Sequence, residues 1–487
     1  MANTQRLFVS GVALLLAVCA FAAQAASILI TSRDAPGAGF EDPTPVLPVG
    51  GNAGTTLGEQ RRIVYRYVAN IWEQNLTSNV PITVSAGWEA LSCTANSATL
   101  GSAGAWNAWH DFPGGVPGTW YAQALANKLA GLNLSEGVPD DGSGYGNVDI
   151  KTQFNINLGT ANCLAGTPFY LGLDGNAGNA VNFAEVLLHE LGHGLGFSVL
   201  TTSTSSGNRL LADGSAFSPS GLPSIWEGYM FDNTLQKTWL QMTSPERKAS
   251  AVNPLQLAWV GPLAVAGAAQ TLLPARVLII TTPVPGVSGG YDYGMAAFGP
   301  TVVNPSAFGV LANAGFGCGP FDLATAAAVR GKVAVIDRGN CTFVVKVKNA
   351  QDAGAFGVII ANNAGGAPPG LGGADPTITI PTVSVSQATG TVLKQAVVDA
   401  VKFGSRSRQG AVTAAFAIDS TRRSGTDLVG RPLLYTPSPL IGGSSVSHWD
   451  VSAFPNLLME PNINADLTIT LVPPLDLTVP LLRDTGW

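Results

Sequence analysis

The stretch His189-Glu190-Leu191-Gly192-His193 places two imidazoles and a carboxylate within one short segment. On a helix, residues i and i+4 share a face, so His189 and His193 can turn nitrogens toward one cation while Glu190 leans over the same point as a proton acceptor. The pattern is H-E-x-x-H, whose chemistry is zinc-assisted hydrolysis with a metal-bound water and Glu190 as general base. A catalytic zinc normally takes three protein ligands and leaves a fourth position open. The motif therefore demands a third ligand from elsewhere in the chain, and the sequence holds only 4 histidines in all.

Gly196 extends the motif toward H-E-x-x-H-x-x-G-x-x-H, in which a glycine turns the chain so that a third histidine returns to the metal. Here that third position is Val199. His110 and His448 remain as histidine candidates, beside any distant Asp or Glu. His110, in Trp109-His110-Asp111-Phe112-Pro113, precedes a turn and reads as a surface or packing residue. His448 sits in Ser447-His448-Trp449-Asp450, with Pro455-Asn456-Leu457-Leu458-Met459-Glu460-Pro461 shortly after it. On these two motifs the chain resembles the leishmanolysin-like metzincins, which carry a long insertion between the helix glycine and a third histidine, followed by a Met-turn. The resemblance implies that His189, His193 and His448 hold one zinc ion, that Glu190 is the base, and that Met459 floors the site. Leu481 to Trp487 is similar to the last helix of that family. Asp450 is a candidate to orient a ligand imidazole from behind.

The N-terminus fits an export signal: Arg6, an apolar run from Leu7 to Ala23, and Ala23-Gln24-Ala25 as a small-residue cleavage site. No later stretch has the eighteen or so uninterrupted apolar residues that span a bilayer, so no stable membrane anchor is expected. Cleavage removes Cys19 and leaves Cys93, Cys163, Cys318 and Cys341, an even number in an oxidising compartment. Domain organisation favours the pairs Cys93–Cys163 and Cys318–Cys341 among the three possible pairings. A net charge of −6 and the absence of any Lys/Arg cluster argue against nucleic acid as a partner.

Several elements must position these groups. Ile63, Val64, Tyr67, Val68, Ile71 and Trp72 recur with helical spacing between Leu57 and Leu76. Val80 to Ser85 and Val148 to Leu158 alternate as strands, and a helix from about Asn182 carries the histidine motif. From about Leu273 to Asp419 strand and helix signals alternate: Lys332 to Asp337, Thr342 to Ala355, Gly357 to Asn362, Ile380 to Val385, then a helix from about Gln387. Asp337-Arg338-Gly339-Asn340-Cys341-Thr342-Phe343, Lys346-Val347-Lys348-Asn349-Ala350 and Ile380-Pro381-Thr382-Val383 make this region resemble the protease-associated (PA) domain.

The expectation is an α+β protein, a zincin/metzincin-like catalytic domain interrupted by a smaller α/β PA-like domain. Its parts would be a signal peptide over 1–25, the metalloprotease domain over 26–272 and 420–487, and the PA-like insert over 273–419. The expected activity is that of an exported zinc endopeptidase acting on proteins or peptides. Two rivals stand beside it. One is an inactive binding protein that uses the PA-like domain, against which the intact Glu190 argues. The other is a two-metal exopeptidase, for which four histidines leave little material. The latency cysteine of metzincin pro-segments has no counterpart, since no cysteine lies between Ala26 and Ser92.

Overall fold

The computed structural model describes residues 24–95, 97–138, 147–300, 306–373, 375–403, 411–464 and 466–487. The export segment expected over 1–25 lies outside these residues except for its last two. Among the described residues, no helix is long and apolar enough to cross a membrane.

The helical periodicity near the N-terminus is realised as α1 (Leu57–Asn75), which buries Val64, Tyr65, Val68, Ala69 and Trp72 along one face. Thr56 and Glu59 form a reciprocal capping box at its start, satisfying backbone N–H groups that the helix leaves unpaired. α1 covers a four-stranded sheet of β1 (Ile28–Ser32), β2 (Ile82–Glu89), β3 (Gly101–Ala105) and β4 (Ile150–Asn155), in the spatial order β1-β2-β4-β3. β1, β2 and β4 run parallel, and β3 lies antiparallel to β4 at the edge. β2 starts two residues later than the alternation predicts because Pro81 has no N–H to give; Ile82 makes the first bond, to the Ser27 carbonyl at 2.8 Å. The chain then forms α2 (Gln123–Ala130) and α3 (Phe183–Gly194), whose N-cap Asn182 accepts from the Ala184 N–H.

Beyond α4 (Pro262–Thr271) the chain builds an eight-stranded sheet. Its strands are β5 (Pro274–Thr281), β6 (Gly289–Asp292), β7 (Gly294–Met295), β8 (Ser306–Asn313), β9 (Val333–Asp337), β10 (Gly357–Ala361), β11 (Thr382–Val385) and β12 (Thr413–Arg423). The order is β6-β5-β12-β8-β9-β10-β11-β7. Only Tyr293 separates the two end strands β6 and β7 along the chain, so the sheet curls until its ends meet. β8 to β11 are parallel; α5 (Phe343–Asp352) crosses over from β9 to β10, and α6 (Gln387–Phe403) follows β11 on the way to the antiparallel β12. The uninterrupted apolar run of β9 follows from burial on both faces: Val333 and Val335 enter one core, Ala334 and Ile336 the other.

Pro274 and Arg423 are register partners, so the chain enters and leaves this sheet on adjacent strands. It then rejoins the first body. Leu434 N–H donates to the Leu257 carbonyl at 2.9 Å, and α7 (Thr478–Thr485) packs on α4. Asp484 caps α4 through the Leu263 and Ala264 N–H groups and also accepts from Trp259 Nε1. One core is thus shared by residues from both sides of the interruption, Val64 and Leu187 with Leu458 and Leu481. Both expected disulfides are present, Cys93–Cys163 and Cys318–Cys341.

Candidate metal centre

α3 presents His189 and His193 one turn apart, and the segment after the interruption brings His448 to them across 255 residues of chain. His193 Nε2 lies 3.1 Å from His189 Nε2 and 3.1 Å from His448 Nε2. This is the single group of three or more His, Cys, Asp or Glu ligand atoms found close together among the described residues.

Each ring is turned by its other nitrogen. His189 Nδ1 donates to the Leu458 carbonyl at 2.7 Å, His193 Nδ1 to the Phe197 carbonyl at 2.8 Å, and His448 Nδ1 to the Ser444 carbonyl at 2.8 Å. A carbonyl only accepts, so the proton of each neutral imidazole sits on Nδ1 and each Nε2 offers a bare lone pair. Three lone pairs converge with no proton between them, which suits a cation. Zinc bonded to nitrogen at about 2.0–2.1 Å in tetrahedral geometry separates its ligand nitrogens by about 3.3 Å, near the observed spacing. Burial pushes His189 down to about 4, and burial together with His189 pushes His448 down to about 3; His193 is lowered too, by burial and then by both neighbours. The donor set is therefore held neutral, the form a metal requires.

The local chain explains why the rings stay there. Gly196 has φ +111, a conformation that suits glycine, and it turns the chain so that the Phe197 carbonyl comes back to His193. Val199, where a closely spaced third histidine would stand, is buried, and its N–H donates to Ser447 Oγ at 3.2 Å. The third-ligand segment is thereby tied to the exit of α3. Met459 is fully buried beneath the helix, and a Cβ on Gly192 would come within 2.8 Å of its Sδ, so the glycine of the motif makes room for the sulfur. The Met459 carbonyl accepts from the Trp449 N–H at 2.8 Å, closing the loop that carries His448.

Glu190 sits beside the triad, where burial raises it to about 8 although the backbone of Ala103, on edge strand β3, acts to lower it. Periodicity does not reveal β3, because Gly101-Ser102-Ala103-Gly104-Ala105 has no large apolar residue to alternate. Asp476 is equally silent in sequence. Its buried carboxylate accepts from Leu458 N–H at 2.8 Å and Thr478 N–H at 2.7 Å, fixing the residue whose carbonyl orients His189.

Two expectations resolve differently. His110 stands apart from the cluster, bonded to Asp111 Oδ2 at 2.6 Å and the Ala212 carbonyl at 2.8 Å. Asp450 orients no imidazole: it accepts from the Ser452 N–H, and all three Nδ1 atoms are already engaged by backbone carbonyls.

Comparison with known proteins adds information mainly on the interrupting sheet. The PA domain family model matches residues 297–393. A PII-type proteinase of Lactococcus lactis subsp. cremoris is 48% identical over 64 residues, which is 13% of this chain and 3% of that protein. A PII-type proteinase of Lacticaseibacillus paracasei is 47% identical over 64 residues, with the same shares. The chain thus spans about 3% of the length of these relatives. Among solved structures, a zinc aminopeptidase from Bacillus subtilis is 24% identical, covering 31% of this chain and 34% of that one, at a TM-score of 0.21. An aminopeptidase from Aneurinibacillus sp. strain AM-1 is 18% identical, covering 40% and 42%, also at 0.21. Likeness at that score carries no argument about the histidine-bearing body. The chain is a mixed α+β protein that carries a PA domain.

Proposed function

We propose that this chain is an exported zinc-dependent endopeptidase of leishmanolysin-like type, with its PA-bearing segment, residues 273–419, inserted between two halves of one catalytic domain over 26–272 and 420–487. The observation that carries the reading is the convergence of three Nε2 lone pairs, each with its Nδ1 proton tied to a backbone carbonyl, beside the Glu190 carboxyl. His189, His193 and His448 would hold one zinc ion, which when bound supplies Lewis acidity toward the scissile carbonyl and lowers the pKa of water toward about 7.

The chain's own residues do the rest. Glu190 takes the proton of the attacking water and delivers it to the leaving amine nitrogen. Among the described residues edge strand β3 pairs only with β4, so its other side offers backbone groups to an extended peptide laid antiparallel or parallel beside it. Main-chain recognition of that kind suits cleavage within a protein chain. With each Nδ1 proton engaged by a backbone carbonyl, Nε2 is the ring atom left to face a cation.

The test is metal content together with cleavage of an unstructured protein such as casein. One zinc per chain and internal cleavage support the reading. Two zinc ions with release of single N-terminal residues would replace it by the two-metal exopeptidase. One zinc with no hydrolysis of protein or peptide would leave a binding protein on a zinc scaffold.

A further inference from the structure

A cavity of about 990 Å³ lies away from the three histidines, between the PA-bearing sheet and the first body. One wall comes from β5, the corner between β6 and β7, and the turn around Leu371; the other comes from residues 424–433 and 451–456. Tyr293, Met295, Leu371 and Phe454 give it apolar surface, and Leu428 and Val429, 86% and 72% exposed, stand in contact with solvent at its edge. A volume near the top of the ordinary range of about 300–1,000 Å³ for ligand sites leaves room for a short peptide segment.

Four arginines share this lining, and their partners differ. Arg422 is held by Asp292 and Asp419, each at 2.9 Å, and Arg431 by Asp427 at 2.7 Å. Among the described residues Arg276 has no carboxylate partner; its guanidinium stacks over the Phe454 ring at 3.7 Å. Arg423 donates one bond to the Leu272 carbonyl at 2.9 Å and has no acidic partner among the described residues either. Glu460 also lines the cavity, but its oxygens accept from the Leu457 N–H at 2.8 Å and Asn464 Nδ2 at 3.2 Å, and it is 1% exposed. Two guanidinium groups are thus left with unused donors against an apolar wall. A guanidinium fork matches a carboxylate in a bidentate manner.

We propose that this cavity is a second peptide-binding site, in which Arg276 and Arg423 hold the carboxylates of an acidic, otherwise apolar segment of a substrate protein. The site would grip the substrate at a distance from the bond that is cut. Its body wall, residues 451–456, lies on the same stretch that joins His448 to Met459. That the segment belongs to a substrate rests on the peptidase reading; the binding itself does not.

The binding is tested with full-length Glu190→Gln protein, titrated calorimetrically with the acetylated, amidated peptide Leu-Phe-Glu-Leu-Glu-Phe-Leu and with its Gln-for-Glu counterpart. The Glu peptide is expected to bind at least about ten-fold tighter, since hydrogen bonds between charged groups are about twice as strong as neutral ones. Arg276→Gln and Arg423→Gln should each remove most of that preference. Arg276 also stacks at the junction, so the decisive variant is Arg423→Gln, which loses a single bond at an exposed position. Equal affinity for the two peptides, or an unchanged preference in Arg423→Gln, overturns the proposal. The origin of the segment is tested with active protein: fusing the Glu peptide to a cleavable unstructured sequence should lower KM several-fold and leave kcat unchanged. Binding without any effect on KM refutes the substrate assignment. Binding with no cleavage of any sequence supports the site while refuting the peptidase reading.

Discussion

The PA-bearing sheet and the histidine-bearing body are built on opposite plans. The sheet's two cores draw on residues from Leu278 to Phe416, one continuous stretch, and its helices and parallel strands follow one another locally. The body's core takes Val64, Trp72 and Leu187 from before the sheet and Trp449, Met459 and Leu481 from after it. Its candidate metal centre is divided in the same way. The lesson is that a domain folded from one stretch declares itself in local pattern, whereas a site assembled across an interruption depends on contacts of long sequence separation. Each prediction below probes that contrast.

The largest effect is expected from His448→Ala. With two imidazoles left, the centre should lose its zinc and with it all measurable hydrolysis, while His110→Ala retains both. Retained stoichiometric zinc in His448→Ala, measured by metal analysis after dialysis, would mean that the two halves do not share one centre.

Glu190→Gln lies wholly on the first half. Zinc should remain bound while kcat falls about 10²–10⁴-fold, the usual contribution of a general base. A variant that keeps more than about a hundredth of the wild-type rate would remove Glu190 from the mechanism.

Asp476→Ala acts from the second half through a neighbour. Losing its carboxylate strands the buried Leu458 and Thr478 N–H groups and frees the carbonyl that orients His189. Zinc affinity should fall about 10–100-fold, the range for a partner that positions a ligand. Asp476→Asn, which can still accept one of the two bonds, should recover part of it; competition with a calibrated chelator reads both. Full affinity in the alanine variant would make Asp476 a packing residue only.

Acid titration should separate the regions by sign. Asp149, in the body, accepts from Thr83 N–H and Asn127 Nδ2, yet burial raises it to about 6. A carboxyl whose folded pKa exceeds its unfolded value stabilises the fold at low pH and loses that contribution as pH rises, here between about 4 and 6. Asp419, on β12, is lowered to about 2 by Thr421 and Arg422, so its contribution is present above about 4 and is lost as pH falls through 2. Asp149→Asn should therefore flatten unfolding stability between pH 4 and 6 by about 1–3 kcal/mol, seen as a weaker pH dependence of Tm. Parallel curves for variant and wild type would refute it.

The smallest change is expected from replacing residues 273–419 with a short Gly/Ser linker. Pro274 and Arg423 already lie side by side, so the body can close over the gap. Cleavage of a short unstructured peptide should stay within a few-fold of wild type. A folded, zinc-bearing deletion that cuts nothing would show that the sheet helps build the centre.

Much of this architecture is legible in the amino-acid order. The spacing of His189 and His193 fixes a shared helical face, because a helix turns 3.6 residues at a time whatever surrounds it. The apolar run Val333 to Ile336 announces a strand buried on both faces. His448 was reachable only through the residues around it, since no periodicity links positions 255 apart. Tertiary structure alone decided which nitrogen of each imidazole is protonated, because that follows from the carbonyls of Leu458, Phe197 and Ser444 that face the rings. It also placed Ala103 against Glu190 and Asp476 behind Leu458. Those roles belong to backbone groups and a buried carboxylate whose residue types carry no local signature, and only the closing of the chain on itself brings them to the three histidines.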